Sequence, residues 1–167
     1  MSYELYHYGI LGMKWGVRRY QNLDGTLTSA GKKKYTKVDT LRSTKTGEEF
    51  YIAQKRNRNA ANRDRDFTIT KNGKKIGSLF LEDHGSDLYV NWVDIKKSER
   101  GKGYANQVMD YVVKYSMRNG YKTISLEVPT SSPDARHIYE KHGFVADRKV
   151  SDQDDVWEGL TSMKRQN

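Results

Sequence analysis

The sequence predicts an α+β fold: a mixed, mostly antiparallel sheet with helices on both faces, preceded by an N-terminal appendage. Three observations carry this. The runs Phe67 to Thr70 and Ile76 to Leu81 flank Lys71-Asn72-Gly73-Lys74, and Asn-Gly between two such runs is the strongest short hairpin signal. The run Leu88 to Ile95 ends at a turn holding Gly101 and Gly103, after which Ala105, Val108, Met109 and Val112 recur at helical spacing. A second strand-then-helix unit, Ile124 to Val128 and a helix opening at Ser132, precedes two closing strands, Phe144 to Val150 and Val156 to Met163, around Ser151 to Asp155.

The chain of 167 residues has room for one domain with appendages. Hydrophobic content of 35% is low for a compact globule of this size, so part of the chain is expected to be solvated or extended. There is no cysteine, which removes disulfides, Cys-based zinc sites and thiol nucleophiles. No run approaches the ~20 apolar residues of a membrane span, and no cleavable leader pattern is read at the start. A soluble protein with no membrane partner is expected. The net charge is +9, and most of that surplus sits in residues 1–66. Such a basic part attracts polyanions or anionic protein surfaces.

Residues 1–44 form the appendage and 45–167 the main domain, with its motifs in 67–165. From Tyr3 to Tyr35 the chain sets Tyr, Trp and Met between regularly placed glycines and basic residues. Asp24-Gly25 is a turn signal, and Thr28-Ser29-Ala30-Gly31 predicts a short capped helix carrying the lysines. A segment of about 35 residues is too small to bury a core of its own, so its aromatics must pack on the main domain or on a partner. The stretch resembles a short module of bacteriophage and prophage structural proteins. That resemblance implies docking of residues 1–34 onto a phage or host protein in a bacterial cytoplasm. Base stacking on nucleic acid is the second option.

Next, Gly47 to Gln54 reads as a first strand, and Lys55 to Asp66 is polar throughout with no apolar stripe. The hairpin and the strand Leu88 to Ile95 then lead into the glycine turn. A strand, a tight glycine turn and a helix N-terminus aim several backbone N–H groups at one point, with Arg100 and Lys102 beside them. This is a phosphate-binding arrangement. A dinucleotide fingerprint would need Gly or Ala where Asn106 stands, and a P-loop would need Gly-Lys-Ser/Thr after four intervening residues. Neither is present.

Arg100-x-x-Gly103-x-Ala105 resembles the coenzyme A pyrophosphate loop of the GCN5-related N-acetyltransferases (GNAT), and Leu126-Glu-Val followed by Ser132 to Phe144 resembles that superfamily's second motif. Glu127, Ala135, Ile138, Tyr139, Gly143 and Phe144 fall at matching spacing, and Ser132 replaces the usual Asn. Ser remains a good N-cap ahead of Pro133.

The resemblance implies acetyl-CoA as cofactor. Its phosphates would lie on Arg100, Gly101, Lys102, Gly103, Tyr104 and Ala105, with Ser132 nearby. Its pantetheine arm would lie beside Val93 and Ile95, where two strands splay. In the RimI-like branch of the family, the positions of Glu127 and Tyr139 hold the base and the acid. Desolvation on a mostly buried strand would push Glu127 toward useful basicity, and Asp94 is a weaker candidate base. The family also places two helices after its first strand, and here only about a dozen polar residues are available for them. His137 and His142 are not spaced as a zinc pair, and no metal site is expected.

The implied reaction is direct N-acetyl transfer to a primary amine. Asp152, Asp154 and Asp155 lie in the loop that overhangs the acceptor groove in the resembling fold, and an acidic rim favours a cationic small molecule or a protein amine. An RNA-borne amine ranks second. The opposing reading is a non-catalytic interaction or packaging protein that keeps the fold as a binding platform.

Overall fold

The computed structural model describes residues 19–22, 26–56, 63–147 and 159–167. Their strands are β1 Tyr35–Arg42, β2 Glu49–Lys55, β3 Arg65–Lys71, β4 Lys74–His84, β5 Asp87–Ile95, β6 Thr123–Pro129, β7 Val145–Ala146 and β8 Leu160–Gln166. The helices are α1 Ser29–Lys34, α2 Tyr104–Arg118 and α3 Pro133–Lys141. One eight-stranded sheet runs in the order β1-β2-β3-β4-β5-β6-β8-β7. Neighbours are antiparallel except β5 and β6, which are parallel because α2 carries the chain back along the sheet. The predicted fold class is the observed one.

The β3–β4 hairpin turns on Asn72 and Gly73, with φ of 48° and 75°, the paired positive angles of a type I′ turn. Helix α2 buries Val108, Met109 and Val112 against Phe67, Ile69, Leu79 and Leu88 of the sheet. Each such side chain contributes about 1.5–3 kcal/mol on leaving water, so Met109→Ala would cost about 2–5 kcal/mol. At its end, Gly120 (φ 77°) takes the left-handed conformation, and the Tyr121 N–H returns to the Ser116 carbonyl at 3.1 Å. These are the features of a Schellman stop.

Three expectations change. The sheet begins at Tyr35, ahead of the expected boundary between residues 44 and 45: β1 pairs with β2 from Tyr35↔Lys55 to Arg42↔Glu49, so the strand read as first is second. The part of the expected docking module described here also packs on the domain. Thr70, on the sheet face away from α2, donates to the buried Gln21 side chain at 2.9 Å, and the Tyr20 ring stands edge-on to Tyr35 at 5.8 Å. Helix α1 forms there as predicted, with Thr28 Oγ1 accepting from the Gly31 N–H at 3.1 Å.

The closing strands are also shifted. Strand β7 is only two residues long, and β8 runs to Gln166 because β6 and β7 flank it on both sides. Residues 56–64 alone join β2 to β3, and no helix occurs among those of them that are described. The aromatic residues 3–18, the Asp24-Gly25 turn and the Asp152, Asp154, Asp155 cluster lie outside the described residues.

Candidate active site

The β5–β6 ladder covers only Asp87↔Thr123 to Val90↔Leu126, and beyond it the strands diverge. The cause is local. Leu81 pairs with Val90 and Phe80 with Trp92, which leaves Asn91 as an extra residue in β5, and such a bulge bends and twists its strand. The Lys96 N–H donates to the Ile76 carbonyl at 2.8 Å, toward β4. By the alternation of an antiparallel ladder, the backbone groups of Val93 and Ile95 then face the gap.

The gap opens into a cleft of about 730 Å³ between the start of α2 and the start of α3. Its floor is Val93, Ile95 and Met109; one wall is the 99–106 loop, and the other is Ser132 to Tyr139. Both helices present N-termini here, and neither has a side-chain cap. The unpaired first N–H groups of two helices thus converge on one space, with both dipoles positive toward it. Gly101 and Gly103 hold φ of 76° and 81°, the left-handed region that lets the chain turn tightly into the start of α2. Asn106 Oδ1 is buried here with no hydrogen-bond partner among the described residues.

The loop is braced from behind by elements far away in the chain. Ser43, 1% exposed, donates to the Lys102 carbonyl at 2.6 Å and accepts from the N–H groups of Lys45 and Thr46 at 3.2 and 3.1 Å. Lys71 Nζ lies 3.0 Å from Glu99 and 2.9 Å from the Tyr104 hydroxyl, which donates to Glu48 at 2.5 Å. Hydrogen bonds to Tyr104 and Glu99 raise the Lys71 pKa well above its ordinary value. The Tyr104 hydrogen bond lowers the pKa of Glu48, and hydrogen bonds from Lys71 and Lys102 lower that of Glu99.

Most of the expected cofactor residues meet at this cleft: Val93, Ile95, Arg100, Gly101, Gly103, Tyr104, Ala105 and Ser132 all line it. Their roles differ in detail from expectation. Lys102 is not on the cleft wall, because its ammonium is drawn to Glu99 at 3.1 Å. Tyr104 keeps its ring buried against Phe50, so only its backbone is available to a ligand. Arg100 Nε donates to the Ile95 carbonyl at 2.8 Å, and its guanidinium lies 3.6 Å from Asp94, the weaker candidate base. Ser132 holds the N-cap position of α3 without making the cap hydrogen bond.

Tyr139 also lines the cleft, packed edge-on against Phe144 at 6.0 Å, and burial raises its pKa. Its hydroxyl has no partner among the described residues. Glu127 is not on the cleft wall and is exposed, against expectation. Alternation along β6 sends Ile124, Leu126 and Val128 to the core and turns Glu127 to the far face. There it stands at the vertex of the gap, as the first residue past the last β5–β6 pair, and forms no ion pair with a described residue. Among the lining residues missed in the sequence are Lys45, Asn106 and Met109. Only Met109, on the apolar stripe of α2, carried a signal that could have placed it.

Comparison with known proteins agrees with this geometry. Residues 35–144 match the acetyltransferase (GNAT) family, and residues 1–22 match a family of unknown function (DUF7211). An N-alpha-acetyltransferase MAK3 from Arabidopsis thaliana is 25% identical over 88 residues, which span 50% of this chain and 46% of the relative. The chain thus covers less than half of that relative's length.

Similar solved structures include a spermidine N-acetyltransferase from Vibrio cholerae with CoA and spermine, at 22% identity and TM-score 0.55, covering 64% of this chain and 68% of that one. A GNAT family acetyltransferase from Elizabethkingia anophelis with acetyl-CoA bound gives 13% identity and TM-score 0.58, covering 71% and 98%. An acetyltransferase from Bacillus subtilis with CoA gives 15% and 0.57, covering 76% and 99%. With a family match over more than half of its residues, and a splayed sheet beside an amide-lined loop, this chain belongs to the acetyltransferase (GNAT) family.

Proposed function

We propose that the chain is an N-acetyltransferase that moves the acetyl group of acetyl-CoA directly to the primary amine of a cationic small molecule or a protein. The observation that carries this is the unpaired stretch of β5 and β6 opening onto the 99–106 loop. The residues present fit coenzyme A. Two uncapped helix N-termini suit its diphosphate, the edge at Val93 and the Ile95 N–H, unpaired with β6, suits an extended amide-bearing arm, and the buried Asn106 Oδ1 lacks a donor that a ligand could supply. When bound, acetyl-CoA supplies an acetyl group activated as a thioester.

The chain's own residues then act from two sides of the sheet. Glu127, at the vertex of the gap on the far face, takes the proton released by the attacking amine, directly or through water. Tyr139, on the cleft face, is protonated at neutral pH, the more firmly because burial raises its pKa, and gives its proton to the departing sulfur. One proton is taken up and one is given out, so exchange with solvent resets the pair. Water exclusion falls to the apolar floor of Val93, Ile95 and Met109.

The far face favours a cationic acceptor. Glu127 and Glu82 stand close enough to Tyr89 to raise its pKa, after burial, and Trp92, 49% exposed, stacks on Phe80 at 4.8 Å. Carboxylates beside an open indole attract an ammonium group and repel an RNA phosphate. The spermine-bound neighbour and the N-alpha-acetylating relative lend support to amines of this kind. We further propose that the aromatic and basic N-terminal residues dock the enzyme on a phage structural or host protein in a bacterial cytoplasm.

The test is thermal stabilisation by acetyl-CoA, followed by release of free thiol with spermidine or with an N-terminal peptide as acceptor. Stabilisation together with amine-dependent thiol release is expected. No shift at millimolar acetyl-CoA overturns the reading, and a shift with no thiol release from either acceptor leaves the binding-platform alternative.

A further inference from the structure

The β1–β2 turn, residues 43–48, lies outside the two motifs that carry the family resemblance, yet it forms part of the cleft wall. Lys45 lines the cleft beside Arg100, Gly101 and Gly103. Its placement is fixed by the backbone. The Lys45 N–H donates to Ser43 Oγ, which in turn donates to the Lys102 carbonyl, so the turn and the glycine loop are joined through one buried hydroxyl. The approach is close: a Cβ added at Gly103 would lie 3.2 Å from Lys45 Cβ.

Three other cations that flank the loop are already engaged. Lys102 pairs with Glu99 at 3.1 Å, Lys71 with Glu99 at 3.0 Å, and Arg100 is held by the Ile95 carbonyl at 2.8 Å and by Asp94 at 3.6 Å. Lys45 is exposed, and among the described residues its ammonium has no carboxylate or carbonyl partner. Amides aimed at a phosphate, with one uncommitted cation on the same wall, form a more complete anion site than the loop alone.

We propose that the β1–β2 turn is a phosphate-binding element and that Lys45 Nζ pairs with a phosphate of coenzyme A. This rests on the acetyl-CoA reading of the cleft. Coenzyme A offers two sources of phosphate, the diphosphate and the 3′-phosphate. Dephospho-coenzyme A, which lacks the second, separates them.

The experiment is calorimetric titration of the full chain and of Lys45→Ala and Lys45→Arg with both ligands. Lys45→Ala should weaken coenzyme A binding about tenfold, the size of one charge-assisted contact, and Lys45→Arg should recover most of it. A loss seen with coenzyme A alone assigns Lys45 to the 3′-phosphate, and an equal loss with both ligands assigns it to the diphosphate. Binding by the wild-type chain that is unchanged in Lys45→Ala overturns the role of Lys45 and leaves the acetyl-CoA reading intact. A wild-type chain that binds neither ligand overturns that reading and this proposal with it.

Discussion

Ser43 Oγ donates to the Lys102 carbonyl at 2.6 Å across 59 residues of chain. Ser43 also accepts from two backbone N–H groups, so one buried hydroxyl satisfies three main-chain groups. Ser43→Ala leaves these without a partner where water has little access. The expected loss is about 1–3 kcal/mol, read as a lower urea midpoint with an unchanged slope. A coenzyme A affinity that also falls would show that the brace holds the loop in its binding shape.

Gly103 and Gly101 make a matched pair for separating strain from crowding. Both have positive φ, 81° and 76°, so an alanine at either costs about 1 kcal/mol in backbone strain. Only at Gly103 does the added methyl meet neighbours, Lys45 Cβ and Ser43 Oγ, each at 3.2 Å. At Gly101 nothing lies within 4 Å. Gly103→Ala should therefore melt lower than Gly101→Ala and lose more coenzyme A affinity. Equal melting temperatures would remove the turn from the loop's environment.

Much of this was legible in the sequence because it is local. Asn72-Gly73 names its turn, and the spacing of Arg100, Gly103 and Ala105 names its loop. The strand β1 was not legible, since Lys37, Asp39 and Arg42 interrupt its apolar residues and a charged edge strand carries little alternation signal. Lys45 reaches the cleft only through the pairing of β1 with β2 and through Ser43, and no pattern along the chain encodes that contact. The alternation of Ile124, Leu126 and Val128 carried the signal that turns Glu127 to the other face, but the strand was read as mostly buried and Glu127 was expected to be desolvated. What it could not say is that the far face would be open there.

Lys71 links the stability of the loop to pH. Its raised pKa gives a contribution that is complete below the ordinary lysine value of 10.5 and is lost only above it. Glu48 and Glu99 have lowered pKa values, so their contribution is present above the ordinary value of 4.5 and is lost as pH falls through their folded values. Lys71→Met should lower stability by about 1–2 kcal/mol at pH 7, since Lys71 is 13% exposed and its removal takes from Glu99 one of its two cations, leaving only Lys102. That difference should shrink below pH 4.5, where the two carboxylates begin to protonate. Denaturant titrations at pH 7 and pH 3.5 check both points, and a gap of equal size at the two pH values would place the effect of Lys71 in packing.

Glu127 and Tyr139 stand on opposite faces of the sheet, so their substitutions should separate cleanly. Glu127→Gln changes an exposed side chain at the vertex of the gap, and melting temperature and coenzyme A affinity should be unchanged while turnover falls about 10²-fold or more. Tyr139→Phe keeps the ring against Phe144 and should likewise fold and bind, with a similar loss in kcat. The pH profiles carry the assignment. Because burial raises the Tyr139 pKa, the wild-type rate should hold through the ordinary tyrosine value of 10.0 and fall only above it. In Tyr139→Phe that alkaline fall should be absent. A Tyr139→Phe enzyme with the wild-type rate and the alkaline fall intact would mean that the departing sulfur takes its proton from water and that Tyr139 serves only to pack the cleft.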